Sequence, residues 1–463
     1  MPRTIAVVGG GAAGVILAAH LLRAAAVSRP VRVLLVDPAE TPGRGLPYRT
    51  TDPRHTLNAV VARLSAFDDD PGHLLRWCGP ARVPAGPGTF LQRADFGRYL
   101  TELLPSIDVP EGSALRHVRG SVVDIDDRDG EHGPVALTLA DGGILRADSA
   151  VLALGTPPPV RLPEYEPWGD RYVADAWSAD LDARAAGARR VLVVGTGLTT
   201  LDVVTHLHPL LPGARFTAVS RGGTLPAAHA ADPLPPAIDV DLCGAVGAAG
   251  TPTVLDTALD TVRQRVAAER AAGRDWRAVI DAVRPQVNPA WARLSPEDRV
   301  TFQREHARSW ENVRHRMSHA MRTHVDRLVA DGVLTVGTVA EVRGGDRWDT
   351  SAFDLVVGAT GLPPLTSPGW NPLVDALLAR GALRPHPLGT GLDLTPDAAL
   401  VDAAGTGHPR LRAMGLARRG LEWECTSVPD LRRQAALLAE DLLADDLLTN
   451  VQPADVPLGA HSA

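Results

Sequence analysis

Lysine is absent from the 463-residue sequence, so all 47 basic residues are arginines. Without lysine the protein cannot form a Schiff base with pyridoxal phosphate or with a carbonyl substrate. The phosphate-binding loop of P-loop nucleotidases, which ends in a lysine, is excluded as well. Chemistry that needs a basic side chain must therefore come from arginine, histidine or a bound cofactor.

Cysteine is also scarce: Cys78, Cys243 and Cys425 are the three in the chain, and no two form a C-x-x-C pair. This spacing gives no basis for the redox dithiol of disulfide reductases, and an odd, unpatterned count is typical of a reducing cytoplasm. We therefore expect a cytoplasmic protein.

Basic stripes and long apolar runs are missing too. The formal net charge of −7 predicts no nucleic-acid partner, since nucleic-acid-binding domains normally show a basic face. The apolar stretch 5–26 is interrupted by glycines and His20, which favours a strand, a turn and a helix over a secretion signal. No run is long enough to predict a membrane span.

The first glycine motif follows the predicted strand Thr4–Val8 and matches G-x-G-x-x-G. In such a motif the first glycine permits a tight turn, the second lets the backbone approach a pyrophosphate, and the third allows close packing of the helix. The pyrophosphate then sits on the helix N-terminus. The predicted contact residues are Gly9, Gly11, Ala12, Ala13 and Gly14.

An acidic residue completes this first site. Asp37 ends the second predicted strand, Val31–Val36, where a carboxylate can accept hydrogen bonds from a ribose 2′-hydroxyl. With strand, turn, helix and acid in this order, the N-terminus is predicted to bind a dinucleotide. The alternative is a glycine-rich turn with a purely structural role.

A second motif of the same kind begins at the strand Val191–Val194, with Gly195 and Gly197 in place and Thr200 where the third glycine would stand. After the next strand come Ser220 and Arg221, where an NAD enzyme usually has an acidic residue. Arginine can bind a 2′-phosphate in a bidentate way, which favours NADPH over NADH. The alternative is that Arg221 is an ordinary surface charge.

Two apolar strands end in small residues, one leading to Gly155 and one to Gly361. They follow the first and second glycine motifs in turn, an order typical of a chain that crosses between two nucleotide-binding domains. We predict an α/β fold with two Rossmann-like dinucleotide-binding domains, the NADPH domain being inserted into the FAD domain. The predicted boundaries are 1–165 and 346–450 for the FAD domain, 185–345 for the NADPH domain, 225–328 for a mostly helical insertion, and 451–463 for a loose tail.

Other elements are predicted with less regular patterns. Val118–Asp124 and Val135–Leu139 are predicted to be antiparallel strands, and a last helix is predicted over Pro429–Leu443. Short helices are predicted over His73–Trp77 and Ala94–Leu104.

Four stretches make the chain resemble a known family. It is similar to the bacterial FAD/NAD(P)-binding oxidoreductases of the two-dinucleotide-binding-domain superfamily, in particular the YdhS-like branch. The stretches are Gly45-Leu46-Pro47-Tyr48 leading to His55-Thr56-Leu57-Asn58, Arg63-Leu64-Ser65-Ala66-Phe67, Phe90-Leu91-Gln92-Arg93 with Phe96-Gly97-Arg98-Tyr99-Leu100, and Gly420-Leu421-Glu422-Trp423-Glu424 through Gln434. The resemblance implies FAD at the N-terminal motif, with the flavin near Asn58, Arg63, Ser65 and the segment 415–429, which includes Gly415 and Glu424.

The same superfamily contains flavin-dependent N-monooxygenases, in which NADPH reduces the flavin and O₂ forms a C4a-hydroperoxyflavin that transfers one oxygen atom. The resemblance thus implies a monooxygenase acting on a small amine or amino acid, such as aspartate, in secondary metabolism. A homodimer is expected because related flavoproteins are often dimeric. The segment 172–177 lacks the F-x-G-x-x-x-H pattern of Baeyer–Villiger enzymes. The alternatives are a flavin-dependent NAD(P)H dehydrogenase that passes electrons to another acceptor, and a non-catalytic flavin-binding protein.

The insertion is rich in arginine and histidine between residues 304 and 324. At helical spacing Arg308, His315 and Arg322 approach one face, and Arg316 points elsewhere. One interpretation is a solvated, salt-bridged helix; the other is a cap whose arginines bind an anionic substrate or the NADPH phosphate. No acidic or cysteine cluster completes a metal site with these histidines, so no metal is predicted. Glu422 and Glu424 are candidates for acid–base work or for holding the loop, and no catalytic residue is assigned.

Overall fold

The computed structural model describes residues 2–126, 133–235, 237–247 and 254–444 of the chain. The strands in these ranges are β1 (Arg3–Val8), β2 (Val31–Asp37), β3 (Ala114–Arg119), β4 (Val122–Asp126), β5 (Val135–Leu139), β6 (Ile144–Ala147), β7 (Ser149–Leu152), β8 (Tyr172–Val173), β9 (Arg190–Val194), β10 (Arg215–Ser220), β11 (Leu334–Thr338), β12 (Leu355–Gly358), β13 (Ala399–Val401) and β14 (Gly407–Ala413). The predicted tail 451–463 lies outside the described residues.

The α-helices of the described ranges are α1 (Ala12–Ala24), α2 (His73–Arg82), α3 (Arg93–Leu103), α4 (Leu181–Ala185), α5 (Leu198–Leu210), α6 (Leu242–Ala245), α7 (Val254–Ala271), α8 (Arg277–Val283), α9 (Val287–Arg293), α10 (Pro296–Thr301), α11 (Ala307–Arg314), α12 (His319–Ala330), α13 (Val339–Arg343), α14 (Pro372–Ala379) and α15 (Val428–Ala444). Shorter 3₁₀ segments cover Val61–Arg63, Leu104–Ser106, Pro163–Arg171, Arg284–Gln286 and Gly415–Arg418, and a π turn covers Phe302–His306.

The first sheet has the order β13-β14-β7-β1-β2-β3 and is parallel except for β13. Both of its faces are covered, which explains why its central strands are continuously apolar. Ile5 and Val7 of β1 pack in the core beside α1, α3 and α15, whereas Ala6 and Val8 pack in the core on the opposite face. The glycine turn after β1 is therefore fixed on a strand buried from both sides.

A small antiparallel sheet, β4-β5-β6, covers part of the second face. The prediction of one strand over Val118–Asp124 was wrong, because the chain turns at residues 120–121 and divides it in two. Its first half belongs to β3, which runs parallel to β2 in the first sheet, and its second half forms β4, which pairs with β5. Gly120 and Ser121, which lie at the turn, were the signal of this change of sheet.

The second sheet has the order β11-β10-β9-β12-β8 and is wholly parallel. Alternate residues of β9 again pack into two different cores. One core contains residues of α5 and α12, and the other contains the aromatic side chains of Tyr165, Trp168 and Tyr172. Strand β12 pairs with β9, so it belongs to this sheet. The predicted return to the first domain at residue 346 is therefore too early, and the sheet itself extends to Gly358.

Two connections join the sheets. The first leaves β7 through Gly155, which has a φ of +76°, and reaches β8. The second leaves β12 and returns to the first domain, where Leu365 is buried in the core beside the small sheet. Gly155 and Gly361 thus lie on the two crossings, and an added Cβ at either would meet nothing within 4 Å.

The insertion between β10 and β11 is mostly helical, as predicted, and carries α6 to α12. It has its own core, in which Trp291 packs against Trp423 of the C-terminal segment with ring centroids 5.1 Å apart. The indole of Trp291 also donates to the Gly420 carbonyl oxygen at 3.1 Å. The insertion is therefore held against the segment that precedes α15.

Among the described residues, none of the helices combines the length and apolar character needed to cross a membrane.

Candidate functional site

The first glycine turn is compressed between β1, β7 and α1. Gly9 has a φ of +108°, and a Cβ added there would lie 2.3 Å from the Ala153 carbonyl oxygen. A Cβ on Gly14 would lie 1.8 Å from the Gly9 carbonyl oxygen. At Gly11 the nearest atom would be the Gly45 Cα, at an ordinary 3.7 Å, so this position faces a less crowded side. Backbone atoms thus leave no room for a side chain at Gly9 and Gly14, whereas Gly11 has room for one.

The N-terminus of α1 suits an anion. Its cap residue, Gly11, makes no side-chain cap hydrogen bond, and the first turn contains no acidic residue. The first N–H groups of the helix, around Ala12 and Ala13, thus retain donor capacity beside the positive end of the helix dipole. This is the environment that binds phosphate groups at helix N-termini.

Asp37 supports the same turn from the end of β2. One carboxylate oxygen accepts a hydrogen bond from the Gly10 N–H at 2.5 Å, and the other accepts from the Ala39 N–H at 2.8 Å. Each oxygen has a second lone pair, so the carboxylate can still accept from a ribose hydroxyl. The structure therefore gives Asp37 a positioning role that the motif alone did not predict.

Gly415 reaches this turn from the other end of the chain. It has a φ of +70°, and a Cβ added there would lie 3.9 Å from the Ala13 Cβ. Its N–H donates to Gln434 at 2.9 Å, and Gln434 in turn donates to Glu422 at 2.7 Å. The structure thus brings Gly415 next to the first glycine turn, and a contact of this segment with flavin stays a prediction.

The second glycine turn repeats the first in the other sheet. Gly195 has a φ of +135°, and an added Cβ would lie 2.1 Å from the Ala359 carbonyl oxygen. At Gly197, the cap residue of α5, an added Cβ would meet nothing within 4 Å. Helix α5 also lacks a side-chain cap and has no acid in its first turn. Thr200, in place of the third glycine, is fully buried.

A hydroxyl network closes this second turn. The Thr196 hydroxyl donates to the Ser220 oxygen at 2.8 Å, and the Gly223 N–H donates to the same oxygen at 3.0 Å. Arg308, from helix α11 of the insertion, donates to the Thr196 hydroxyl at 3.2 Å. Arg221 follows Ser220 and is exposed. The network thus brings Arg308 of the insertion to the end of β10, where the motif alone predicts only Arg221.

A cavity of about 440 Å³, here called the central cavity, lies between the first domain, the insertion and the start of α15. Residues 57–60, 62–64, 281, 284–285, 314–316, 426–429 and 432 line it, together with Tyr48, His229 and Pro233. Asn58 and Arg63 are among these residues, and their closeness to a flavin stays a prediction. The N-terminus of α15 adds the positive end of a 17-residue helix to one wall.

Arginines dominate the charge of the central cavity. Arg284 pairs with Asp430 at 2.7 Å, Arg314 with Glu424 at 3.4 Å, and Arg432 with Asp68. The remaining two lining arginines, Arg63 and Arg316, share a single carboxylate, that of Asp281. Among these described groups, arginines outnumber carboxylates by one.

The two histidines of the cavity, His229 and His315, do not contribute to its positive charge. Burial lowers the pKa of His229 to about 4, and the nearby Arg316 acts in the same direction. Burial also lowers the pKa of His315 to about 4, with a contribution from Arg314. Both imidazoles are therefore neutral near pH 7. His229 Nε2 contacts the Asn58 carbonyl oxygen at 3.0 Å, which assigns the proton to that nitrogen.

Two predicted contact residues do not line the central cavity. Ser65 is fully buried, where its hydroxyl donates to the Asp70 carbonyl oxygen at 2.6 Å and accepts from the Phe67 N–H at 3.2 Å. Glu424 is also buried and accepts from the Trp310 indole at 2.8 Å. Both side chains hold neighbouring segments in place, which leaves a direct cofactor contact for either as a prediction.

A second polar cluster lies between the two domains. His206 of α5 is bonded to Asp52 at 2.7 Å and to Asp182 at 2.6 Å, while Asp52 also pairs with Arg54 at 2.6 Å. Asp52, His55 and His206 lie close enough to resemble a metal-ligand set. Arg54 already places a cation on Asp52, however, and both His206 nitrogens are occupied. The geometry is that of an ion-pair clamp between domains.

The insertion segment is two helices rather than one. It breaks at residues 315–318 between α11 and α12, so the helical projection that sent Arg316 away from the other residues was wrong. Arg304 and Arg322 are exposed and salt-bridged, which fits the solvated interpretation. Arg316 is buried and Arg314 half-buried at the cavity, which fits the cap interpretation. Asp281 and Arg284 were missed, because no local pattern distinguishes them from surface charges on a helix.

The architecture defines a class of protein. One nucleotide-binding domain is inserted into another, each has a glycine turn opening a helix, and a polar cavity is lined by the first domain, the insertion and the start of α15. This is the fold of flavoproteins with two dinucleotide-binding domains. Residues 6–157 match the family model described as FAD-NAD(P)-binding, so the N-terminal part of the chain is an FAD/NAD(P)-binding domain.

Two curated proteins are similar in sequence. Nitrosuccinic acid synthase of Aspergillus oryzae is 27% identical over 244 residues, which cover 47% of this chain and 37% of that protein. L-Aspartate N-monooxygenase (nitrosuccinate-forming) of Streptomyces cremeus is 29% identical over 265 residues, which cover 47% and 39% respectively. The aligned region thus spans less than half the length of either relative.

Solved structures share the fold along nearly the whole chain. An ornithine N-hydroxylase of Kutzneria sp. 744 has a TM-score of 0.61 at 14% identity, covering 96% of this chain and 100% of its own. The cadaverine monooxygenase of Erwinia amylovora has a TM-score of 0.61 at 13% identity and covers both chains completely. At these identities the similarity establishes the fold.

Proposed function

We propose that this protein is an FAD- and NADPH-dependent monooxygenase that oxygenates the amino nitrogen of a small amino acid, with aspartate as the first candidate. The observation that carries the proposal is the arginine-rich central cavity, which is lined by the first domain, the insertion and the start of α15, on a fold with two glycine turns that each open a helix. The two similar curated proteins act on aspartate or form nitrosuccinic acid, according to their names, which supports the choice of substrate.

The residues present fit both cofactors. FAD would be held at Gly9, Gly11 and the free N–H groups of α1, with Asp37 on its ribose and Gly415 beside the same turn. NADPH would be held at Gly197 and the uncapped start of α5, with Ser220 and Arg221 at its 2′-phosphate. The Kutzneria hydroxylase is described with reduced FAD, NADP⁺ and L-ornithine, which supports two cofactor sites on this fold.

The bound cofactors would supply two electrons from NADPH for the activation of O₂, one atom of which enters the amine and the other water. The protein's part is to orient the amino group, to bind the rest of the substrate, and to exclude water. Trp291 and Trp423 seal the insertion against the C-terminal segment, and His229 stays neutral beside the cavity. No described residue needs to act as a covalent nucleophile.

The free cysteines support oxygen transfer over disulfide chemistry. Cys78 and Cys425 are buried, and burial raises the pKa of Cys425 to about 12, so it is not a thiolate at neutral pH. We also propose that the protein works in the cytoplasm, since all three cysteines are free thiols. A homodimer remains a prediction.

The test is a set of matched turnover assays on the purified holoenzyme. Flavin should bleach when NADPH is added without O₂, and NADPH oxidation in air should be stimulated by L-aspartate, with a hydroxylamine or nitroso product detected by mass spectrometry. L-Ornithine, L-lysine and cadaverine serve as comparison amines.

Other results would redirect the assignment. Equal rates with every amine and a stoichiometric yield of hydrogen peroxide would contradict N-oxygenation. Turnover with an artificial acceptor under argon, with no oxygen demand in air, would favour a dehydrogenase. Bound flavin that NADPH cannot reduce would favour a non-catalytic protein.

A further inference from the structure

The backbone fixes one arginine of the insertion at the wall of the central cavity. Between α11 and α12, Met317 forms a bridge with residues 227–229: its N–H donates to the Ala227 carbonyl oxygen at 2.9 Å, and its own carbonyl oxygen accepts from the His229 N–H at 2.8 Å. This strand-like pairing holds the adjacent Arg316 at the cavity, although the segment is only a short connection.

Arg316 is buried without full compensation. Only 3% of its side chain is exposed, and its Nη2 contacts Asp281. Its Nε and Nη1 have no hydrogen-bond partner among the described residues. A buried guanidinium with unused donors is costly unless a ligand or a neighbouring group supplies negative charge.

Asp281 already serves a second arginine. Its other carboxylate oxygen accepts from Arg63 Nη2 at 3.0 Å, and the Arg63 side chain, 36% exposed, lies at the same cavity. Arg63, Asp281 and Arg316, here called the triad, together carry one excess positive charge. Arg63 presents the accessible N–H groups, and Arg316 places a second positive charge behind the shared carboxylate.

We propose that the triad binds a carboxylate group of the amino-acid substrate in the central cavity, with Arg63 making the direct contact. This inference rests on the proposed function, and it assigns substrate recognition to a residue whose family resemblance implied only a flavin contact. Arginine suits this role because its planar fork donates two parallel hydrogen bonds to a carboxylate.

The other arginines of the cavity are poorer candidates. Arg284 and Arg314 have their own carboxylates, Asp430 and Glu424. Arg432 pairs with Asp68 and also donates to the Ser65 carbonyl oxygen at 3.1 Å. Each of these charges is matched, so a second anion beside them would add a repulsive carboxylate neighbour. The triad is the place in the cavity where an anion restores neutrality.

The experiment measures binding of succinate to the FAD-loaded protein by titration calorimetry. Succinate has two carboxylates and no amine, so it reports on recognition without turnover, and cadaverine, which has amines and no carboxylate, is the comparison probe. Arg63→Met should weaken succinate binding at least about 30-fold, the loss expected when a charged partner is removed from a partly desolvated pair. The succinate Kd of Arg63→Lys should lie between those of the wild type and Arg63→Met, because lysine keeps the positive charge but lacks the planar pair of donors of a guanidinium group.

Arg432→Met is the matched control, since it removes an arginine of the same cavity whose charge Asp68 already balances. It should change the succinate Kd less than about threefold. FAD content and the unfolding temperature of each variant show whether the fold has been kept. The succinate Kd values are compared at equal FAD content, because the family resemblance also implies a flavin contact for Arg63.

Two results would overturn the proposal. One is a wild-type protein that shows no binding of succinate, and the other is an Arg63→Met variant that binds succinate as the wild type does. In the second case, a shifted flavin midpoint potential would assign the charge to the cofactor instead.

Failure of the proposed function would look different. It would appear as Arg63-dependent succinate binding without oxygenation of any amine. The carboxylate site would then stand, and the reaction would need reassignment.

Discussion

The indole N–H of Trp310, in the helical insertion, donates to the carboxylate of Glu424, in the segment before α15, at 2.8 Å. The same carboxylate is buried and lies 3.4 Å from Arg314, whose side chain is 14% exposed. One acidic side chain therefore fastens two positions of the insertion to the C-terminal segment at the edge of the central cavity. The contact joins parts of the chain more than a hundred residues apart.

Glu424→Gln should loosen this junction. The amide can still accept from Trp310, but it leaves the half-buried Arg314 without its carboxylate, and breaking an ion pair with a buried partner in this way costs about 3 kcal/mol in the free energy of unfolding. Trp310→Phe, which removes only one hydrogen bond to a charged group, should cost about 1.5–3 kcal/mol. Denaturant unfolding of the two variants measures both values, and a Glu424→Gln variant as stable as the wild type would contradict this role.

Two substitutions in the second glycine turn should affect folding and cofactor binding separately. Gly195→Ala should destabilise the protein, because the residue has a φ of +135° and its new Cβ would meet the Ala359 carbonyl oxygen. Gly197→Ala should leave the unfolding temperature unchanged, because the space around an added Cβ is open. Its methyl group would instead occupy the side from which a pyrophosphate approaches, raising the KM for NADPH on the order of tenfold.

Thermal unfolding and NADPH kinetics, measured on both variants, check this contrast. An unchanged KM in Gly197→Ala would show that the pyrophosphate does not lie against this turn. FAD content is the internal control, since the first glycine turn belongs to the other sheet and should be unaffected by either change.

The two nucleotide-binding sheets could be predicted because their signals are local. The apolar run of β1, the three glycines and the acid at the end of β2 lie within 37 residues, and the strand bounds found, Arg3–Val8 and Val31–Asp37, differ little from the prediction. The sheet change near residue 120 and the place of β12 could not be read in the same way. They depend on which distant strand pairs with which, and a strand's own sequence carries little of that information.

The residues of the candidate site likewise differ in whether a local sequence pattern predicts them. Gly9, Gly195 and Arg221 belong to motifs with a fixed spacing, whereas Asp281 and Arg316 become neighbours only because the insertion folds over the first domain. The abundance of arginine between residues 304 and 324 was a visible signal. It could not show which arginines are buried, because helix α11 ends at Arg314 and the helical periodicity stops there.

The clamp between the domains should respond to pH. Although burial opposes its protonation, hydrogen bonds to Asp52 and Asp182 raise the pKa of His206 above its usual 6.5. A group whose pKa is raised by folding stabilises the folded state fully below its unfolded pKa, and that stabilisation is lost as pH rises through the folded pKa. Arg54 and His55 also face this cluster, and their positive charge, where present, limits the effect.

His206→Gln, which is neutral at every pH, should therefore be less stable than the wild type at pH 6, with the difference shrinking as pH rises beyond 6.5. Asp182→Asn should show a smaller change of the same sign, because Asp52 remains bonded to His206. Unfolding temperatures of the wild type and both variants, measured between about pH 5.5 and about pH 9, test this pH dependence, because that range covers the titration of an imidazole. A difference that grows with pH would contradict the assignment.

Cofactor preference should depend on two arginines that come from different parts of the chain. Arg221 follows Ser220 at the end of β10, and Arg308 of the insertion donates to the Thr196 hydroxyl, which itself donates to Ser220. A 2′-phosphate beside Ser220 would lie within reach of both guanidinium groups, whereas the 2′-hydroxyl of NADH would attract neither strongly. Arg221→Met and Arg308→Met should each raise the KM for NADPH roughly tenfold and change the KM for NADH little.

The control for this pair is Arg304→Met, because Arg304 is an exposed arginine of the same insertion that pairs with Glu305 at 2.7 Å. It should leave the preference for NADPH over NADH unchanged. If Arg308→Met behaves like this control while Arg221→Met does not, the phosphate lies on the β10 side alone, and the contact of Arg308 with Thr196 only orders the turn. If both variants keep the wild-type preference, the second glycine turn does not select NADPH through these side chains. If both variants raise the KM for NADPH, the insertion completes the cofactor site. The preference for NADPH would then depend on the packing of the insertion against the two domains.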